Sequence, residues 1–451
     1  MSVPVSRDPD VRESVAEDAS GLHLVPEAVA RPASVLEAVE ALREAVSAGT
    51  PVTTAGGQTS TTAASITDRG LLLSLRALDR ILDIDPVAMS ARVEAGVPVA
   101  ELARAAAEHG LLFAPDPTSE VESTIGGAVA CNASGARTLR YGPTRGHVLG
   151  LKVALAGGEV VELRRPRLEK NTVGYALAHD PVDWFVGSEG TLGVVLEAEL
   201  ALLPRPAQVV GFALPFPTEA EALAFVAAAR ESTEVSPRCL EFFDARAAAI
   251  FQGLDAETAS PLVYSEETVE PGGEPPFEAW LALAETHGVC DADIRVYEDD
   301  AALREARRRR HAVPATMNER GARHRAAGGR KVSTDWAVPY RRLGEAIAAA
   351  RAIADAHGIE PPVIYGHAGN GHPHENFVAT DAAELERVEK AVEETLRQVL
   401  ALGGTVAAEH GIGKLKRRWL PLQMSPLQIG VMRAVKRELD PEGLLAPGNV
   451  L

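Results

Sequence analysis

Residues 123–150 read STIGGAVACNASGARTLRYGPTRGHVLG, and this run limits what the chain can fold into more than any other stretch. So many glycines cannot fill a core by side-chain volume; they allow sharp turns or a close approach of the backbone to something else. Two more clusters of the same kind lie nearby, AGGQTS at 55–60 and GSEGTLG at 187–193. None is a Walker loop or a GxGxxG fingerprint following a strand. One such cluster alone reads as a surface turn. Three of them, with small hydroxyl residues interspersed, point to a large phosphate-bearing ligand, because consecutive backbone N–H groups in a glycine turn form a concave donor surface for a pyrophosphate.

Between these loops the chain alternates helix and strand. Val35, Val39, Leu42 and Val46 recur at helical spacing between a capping Ser34 and a terminating Gly49. Residues 51–54, 71–75 and 91–95 read as strands, and 99–109 as an amphipathic helix closed by Gly110. Strands at 151–156 and 160–163 flank a Gly157-Gly158 hairpin turn, and an apolar strand covers 194–202. Pro204 and Pro206 mark a change of character. Beyond them lie long Ala-, Glu- and Arg-rich helices such as 219–230 and 340–357, interleaved with strands, and the last fifty residues return to glycine signals. A chain of 451 residues suits two domains.

The formal net charge of -18 argues against nucleic acid or an anionic membrane surface as the main partner. No stretch approaches the ~20 apolar residues of a membrane span. The three cysteines, Cys131, Cys239 and Cys290, form no CxxC pair or disulfide framework, so a cytoplasmic location is expected. Residues 1–20 are polar and acidic and are expected to form a disordered leader.

Two polar features remain open on these grounds. GHAGNGHPH at 366–374 places three histidines close together, as a polar turn or as a set of metal ligands, and EHGIGK at 409–414 adds a glutamate and a fourth histidine. Imidazole and carboxylate are the usual ligands of Zn²⁺ or Mn²⁺. The arginine run at 304–310 reads most simply as a solvated helix face.

The ordered series AGGQTS, DPTS (116–119), STIGGAVACNASGARTLRYG, GSEGTLG and EHGIGK resembles the FAD-linked oxidases of the vanillyl-alcohol oxidase superfamily. Within them it is similar to the group of the glycolate oxidase flavin subunit, D-lactate dehydrogenase and D-2-hydroxyglutarate dehydrogenase. The resemblance implies an α+β fold: a two-part FAD-binding domain of the vanillyl-alcohol oxidase type at 21–206, and an α+β cap, or substrate, domain at 207–400. A C-terminal segment at 401–451 then returns to the FAD domain and active site. It implies that Gly56, Gly57, Thr59 and Ser60 hold the pyrophosphate. Pro117, Thr118, Ser123, Gly126, Gly127, Asn132, Gly135 and Tyr141 would line the flavin, and Glu189, Gly190, Gly193 and Val194 the adenine–ribose side. With Gln58 and Thr59 where some members carry a histidine, the FAD is expected to be non-covalent. Thr54 stands where an arginine is usual, and Ala446-Pro447-Gly448-Asn449 replaces Asn-Pro-Gly-Lys.

For the polar features the same resemblance implies a divalent metal, Zn or Mn, held by His367, His374 and Glu409. His410 would be the base and Arg310 the partner of a substrate carboxylate, with Lys331 a further candidate. Asn370 and His372 depart from the pattern, which has Asp and Asn there, and His372 is expected outside the ligand set. The implied reaction is FAD-dependent oxidation of a small D-2-hydroxy acid, with hydride passing to the flavin and electrons then to an acceptor the sequence does not name. A non-redox transferase of the same fold, marked by a histidine run instead of HxGxGxxH plus EHG, is one alternative. A flavin-binding subunit of a larger complex is another, and assembly as a homodimer or with partner subunits stays open.

Overall fold

The computed structural model describes residues 3–166, 168–255 and 257–451. They form an α+β fold of two compact units, one of Met1–Gly135, Gly142–Arg205 and Glu409–Leu451, the other of Ala136–Tyr141 and Pro206–Ala408. Among the described residues, no helix is long and apolar enough to cross a membrane.

The first unit holds two main sheets. In one, the strands lie in the order Val5–Ser6, Ala28–Ala30, Leu71–Ser74, Val52–Ala55, the last three mutually parallel. Helix Val35–Ser47 packs Val39 and Leu42 into a core with Val52, Leu71 and Leu73. Its Ser34 accepts a hydrogen bond from the Glu37 N–H, and Gly49 takes the left-handed φ of 68° just past its end. The other sheet is antiparallel, in the order Ile81–Asp85, Ser90–Glu94, Val194–Ala201, Val148–Ala154, Val160–Arg164. Helices Val99–Glu108 and Ile125–Cys131 cover it, burying Leu102 and Val129 with Val93, Val153 and Leu200.

The expected leader is ordered from residue 3. Val5–Ser6 adds an antiparallel strand to Ala28–Ala30, Asp8 caps a short helix at Pro9–Glu13, and Val3, Val15 and Ala16 are buried. The few apolar side chains of this acidic stretch find Val29, Ala55 and Leu72, a match that average polarity conceals.

The second unit is built on a seven-stranded antiparallel sheet. Its order is Arg295–Tyr297, Gln208–Pro215, Leu262–Val269, Pro237–Phe243, Val363–His367, His372–Asp381, Gly328–Ser333. Helix Asp300–Ala322 packs Leu303, Ala306, Val313 and Met317 against Phe243, Tyr264 and Tyr365 of the sheet. Residues 136–141 of the glycine-rich run belong to this unit, which the sequence pattern did not signal. The chain changes unit after Ala408 rather than at 400, because Thr405 still pairs with Ala337, its N–H donating to the Ala337 carbonyl at 2.8 Å. From Glu409 onward it belongs to the first unit, where Leu445 lies beside Val52: the Val52 N–H donates to Leu444 O at 2.8 Å and the Ala446 N–H to Val52 O at 2.7 Å.

Candidate active site

In the first unit the three glycine loops meet. Strand Val52–Ala55 delivers Gly56 and Gly57 flat against residues 122–124; a Cβ on Gly57 would strike the Glu122 carbonyl, and one on Gly56 the Thr124 hydroxyl. Only glycine permits that backbone-to-backbone approach. Thr59 and Ser60 follow in the same loop, where Ser60 Oγ accepts from the N–H groups of Thr62 and Ala64 at 3.2 Å. Thr124 caps the short helix Ile125–Cys131, which carries Gly126 and Gly127, and Asn132 ends it in the left-handed region while its Oδ1 accepts from Arg145 N–H at 2.9 Å. Pro117 is buried, Thr118 exposed, and Gly135 lies packed on the Asp116 carbonyl. The third loop hangs on this helix: the Gly187 and Glu189 N–H groups donate to Val129 O (3.0 Å) and Ala130 O (2.8 Å). Gly193 and Val194 are buried where the loop becomes a strand.

Two features of these loops suit a bound nucleotide. Gln58, Asn132 and Glu189, one per loop, are non-glycine residues with positive φ, a strain that collects at ligand clamps. Ser123 Oγ is buried and has no hydrogen-bond partner among the described residues, so a ligand oxygen would complete it. The residues therefore fit FAD.

Glu189 also has a task the sequence did not reveal. Its carboxylate accepts from the N–H groups of Ile412 (2.6 Å) and Gly413 (2.7 Å), beyond Gly411, whose φ of 75° a side chain would resist. Burial pushes its pKa up, against the pull of those two bonds and of Lys416 and Lys414. Lys414 Nζ donates to Ala63 O (3.0 Å) and Asn449 Oδ1 (2.7 Å), and burial lowers it to about 8. In the same segment Glu409 Oε2 accepts from Ser134 Oγ at 3.2 Å. His410 Nε2 lies 3.3 Å from Glu409 Oε1, and the His410 carbonyl accepts from Thr62 Oγ1 at 3.4 Å.

In the second unit strand pairing gathers the histidines. His367 pairs with His372 and Tyr365 with His374, so strict alternation puts all three imidazoles on one face of the sheet. Ring centroids are 4.7 Å apart for His372 and His374, and 5.4–5.6 Å from His367 to either. Asp335, buried, joins them: Asp335, His372 and His374 each offer a ligand atom, all within 4.8 Å of one another. His372 Nδ1 donates to the Trp336 carbonyl at 2.8 Å and its Nε2 lies 3.4 Å from Asp335 Oδ1; in the neutral ring that Nε2 is a lone pair. A lone pair facing a carboxylate oxygen is favourable with a cation close to both, so this donor set fits a divalent metal. His372, expected outside the ligand set, is thus buried inside the cluster because its strand position repeats that of His374. Asp335 carried no motif. Ala408, the residue before Glu409, donates its N–H to the Asp335 carbonyl at 2.7 Å.

Beside the imidazoles runs a buried ionic ladder. His367 Nδ1 is 2.6 Å from Glu241 Oε1, and Arg310 Nε donates to Glu241 Oε2 at 2.7 Å. Burial alone would raise the Glu241 pKa, but Arg310 and His367 outweigh it and hold the carboxyl at about 2. The arginine run splits by helical phase. Arg308 and Arg309 pair with Glu305, whereas Arg307 and Arg310, three residues apart, turn to the sheet and bind Glu266 and Glu241. Lys331 donates to Asn318 Oδ1 at 2.8 Å, and burial lowers its pKa to about 8. Tyr141, expected at the flavin, belongs to this unit, its ring 5.7 Å from the Arg238 guanidinium carbon.

Residues 26–164 match an FAD binding domain, and residues 205–450 the C-terminal domain of FAD linked oxidases. The chain is 33% identical over 443 residues to D-2-hydroxyglutarate dehydrogenase of Xanthomonas citri pv. viticola (94% of this chain, 89% of that protein). It is 31% identical over 392 residues to glycolate oxidase subunit GlcD of Bacillus subtilis (85% and 80%), and 30% identical over 432 residues to D-lactate dehydrogenase of Archaeoglobus fulgidus (94% and 91%). Among solved structures, alkyldihydroxyacetonephosphate synthase superposes with a TM-score of 0.74 over 98% of this chain and 82% of that one; at 19% identity the likeness concerns the fold alone.

Proposed function

Because the chain belongs to the family of FAD-linked oxidases, we propose that it oxidises a small D-2-hydroxy acid, of the lactate, glycolate or 2-hydroxyglutarate class, to the 2-oxo acid. The observation that carries this reading is the ladder in which buried Glu241 joins the Arg310 guanidinium to the imidazole cluster beside Asp335. A 2-hydroxy acid presents a carboxylate next to a hydroxyl, and the ladder offers the Arg310 guanidinium for the first and, in the imidazole cluster, ligands for a metal that would meet the second. The names of the three relatives support the same substrate class. When bound, FAD supplies the hydride acceptor, and a divalent metal, zinc or manganese by this nitrogen and oxygen donor set, supplies charge that acidifies the hydroxyl.

The chain's own residues do the rest. Arg310, its Nε fixed by Glu241, presents the remainder of its planar fork to the substrate carboxylate, and Lys331 is a second cation for it. His374, His372 and Asp335 hold the metal. His367 and Glu409 are the further donors that the sequence resemblance implies. His410 takes the hydroxyl proton, since imidazole titrates in the range where such a base works best. The experiment is anaerobic mixing of the purified protein with D- and L-lactate, glycolate and D- and L-2-hydroxyglutarate while the flavin absorbance is followed. Bleaching by D- but not L-acids is the expected result; a flavin that none of them bleaches overturns the reading.

A further inference from the structure

A second buried cation, Arg238, lies on the strand that carries Glu241, and among the described residues its charge is only partly met. Strands Pro237–Phe243 and Leu262–Val269 pair Glu241 with Tyr264 and Cys239 with Glu266. Between Pro237 and Cys239 the register slips, leaving Arg238 as the extra residue of a β-bulge. Bulges re-aim side chains and collect next to active sites. Arg238 is 3% exposed, yet its Nε has no hydrogen-bond partner among the described residues, and its Nη1 reaches Glu266 Oε2 only at 3.4 Å. Glu266 is already engaged: Arg307 holds it with two bonds of 2.7 Å, and the Tyr264 hydroxyl adds one of 2.8 Å. Two guanidinium groups thus share one carboxylate. Arg137, in the same unit, adds repulsion, which together with the larger effect of burial lowers the Arg238 pKa. A buried surplus charge is costly unless an anion meets it.

We infer that Arg238 is the anchor for a second carboxylate of the substrate, so that the preferred substrate is a 2-hydroxydicarboxylate rather than a monoacid. The inference rests on the proposed hydroxy-acid oxidation and deepens it. Placement supports it. Arg238 lies on the same strand as Glu241, the residue that fixes Arg310, three positions away, so one strand positions both guanidinium groups that would meet the two carboxylates.

The test compares two five-carbon acids, D-2-hydroxyglutarate and D-2-hydroxypentanoate, by anaerobic flavin reduction with the FAD-loaded protein. The wild type should prefer the diacid by at least ~100-fold in kcat/KM, the scale expected for a buried ionic contact. In Arg238→Met that preference should collapse, chiefly through KM, and Arg238→Lys should restore part of it. A wild type without preference overturns the inference, and needs no variant to fold. So does an Arg238→Met enzyme that keeps the wild-type ratio. If neither acid reduces the flavin, the oxidase reading fails first; if both reduce it equally well, only the second-carboxylate anchor fails.

Discussion

Arg310 and His410 are given different tasks, and single substitutions separate them. His410→Ala removes the proposed base while leaving every donor of the imidazole cluster in place, so metal and substrate should still bind. Flavin reduction in stopped flow should slow at least ~100-fold, the lower end of what a positioned acid–base group contributes. Arg310→Ala should act on affinity instead, weakening substrate and any carboxylate inhibitor by about 2–5 kcal/mol, as for losing one end of a buried ionic contact. Near-normal flavin reduction in His410→Ala would place the base elsewhere, and identical defects in the two variants would mean the roles are wrongly assigned. At this scale motifs told part of the story. The histidines of residues 366–374 announced themselves by density. Glu241 did not, because it sits in a strand, residues 237–243, that otherwise reads as core, and Asp335 precedes the cluster by more than thirty residues without a pattern around it. Their part appears only when strand pairing sets 241 beside 367, and the turn after strand Gly328–Ser333 brings 335 to 372.

The element that sets this geometry is helix Asp300–Ala322, pinned to the sheet by Glu241–Arg310 and Glu266–Arg307 one helical turn apart. Helices and hairpins such as 35–47 and 148–164 were readable from periodicity, caps and the Gly157-Gly158 turn. The inward turn of Arg307 was not, since four successive arginines look alike until the buried Leu303, Ala306, Val313 and Met317 give the helix its phase. Nor was the bulge at Arg238, which depends on cross-strand register. The Glu266 pair has a measurable consequence for stability. Burial by itself would raise the Glu266 pKa, but Arg307 and Arg238 overcome it and hold the carboxyl at about 2, below its ordinary value of 4.5. A carboxyl lowered on folding contributes stability above its unfolded pKa and loses it as the pH falls toward its folded one. Glu266→Gln should therefore destabilise the protein at pH 7 by about 3 kcal/mol, the cost of breaking a buried ion pair from one side. The gap to wild type should narrow between about pH 4.5 and 2, where the wild-type carboxyl itself becomes neutral. Denaturant unfolding across that range measures it; a gap independent of pH would show that the ion pair is not its source.

Across the whole molecule the glycine loops and the histidine cluster fall in different units, and the sequence announced this through composition: glycine loops on one side of residue 205, helices with a histidine-rich hairpin on the other. What composition concealed were the places where the chain changes unit, at 136–141 and after 408, because those depend on single pairings such as Thr405 with Ala337. If FAD binds at the loops and a metal at the histidines, as proposed, single substitutions should separate the two. Gly57 belongs to the first unit, where a side chain would collide with the Glu122 backbone and push the 55–60 loop off the 122–124 turn. His374 belongs to the second, on a strand whose other residues make the sheet and its core. Gly57→Ala should therefore lower the flavin-to-protein ratio at least ~10-fold, about 1.4 kcal/mol of binding, while bound zinc or manganese stays at the wild-type level. His374→Ala should do the reverse, keeping a yellow protein that releases FAD on acid denaturation while losing its metal and its reaction with D-2-hydroxy acids. Absorbance spectra and elemental analysis of the two purified variants decide the matter, with circular dichroism to show that each is folded. If His374→Ala lost flavin as completely as Gly57→Ala, the cofactor would depend on the second unit's histidines, and the assignment of FAD to the glycine loops alone would fall.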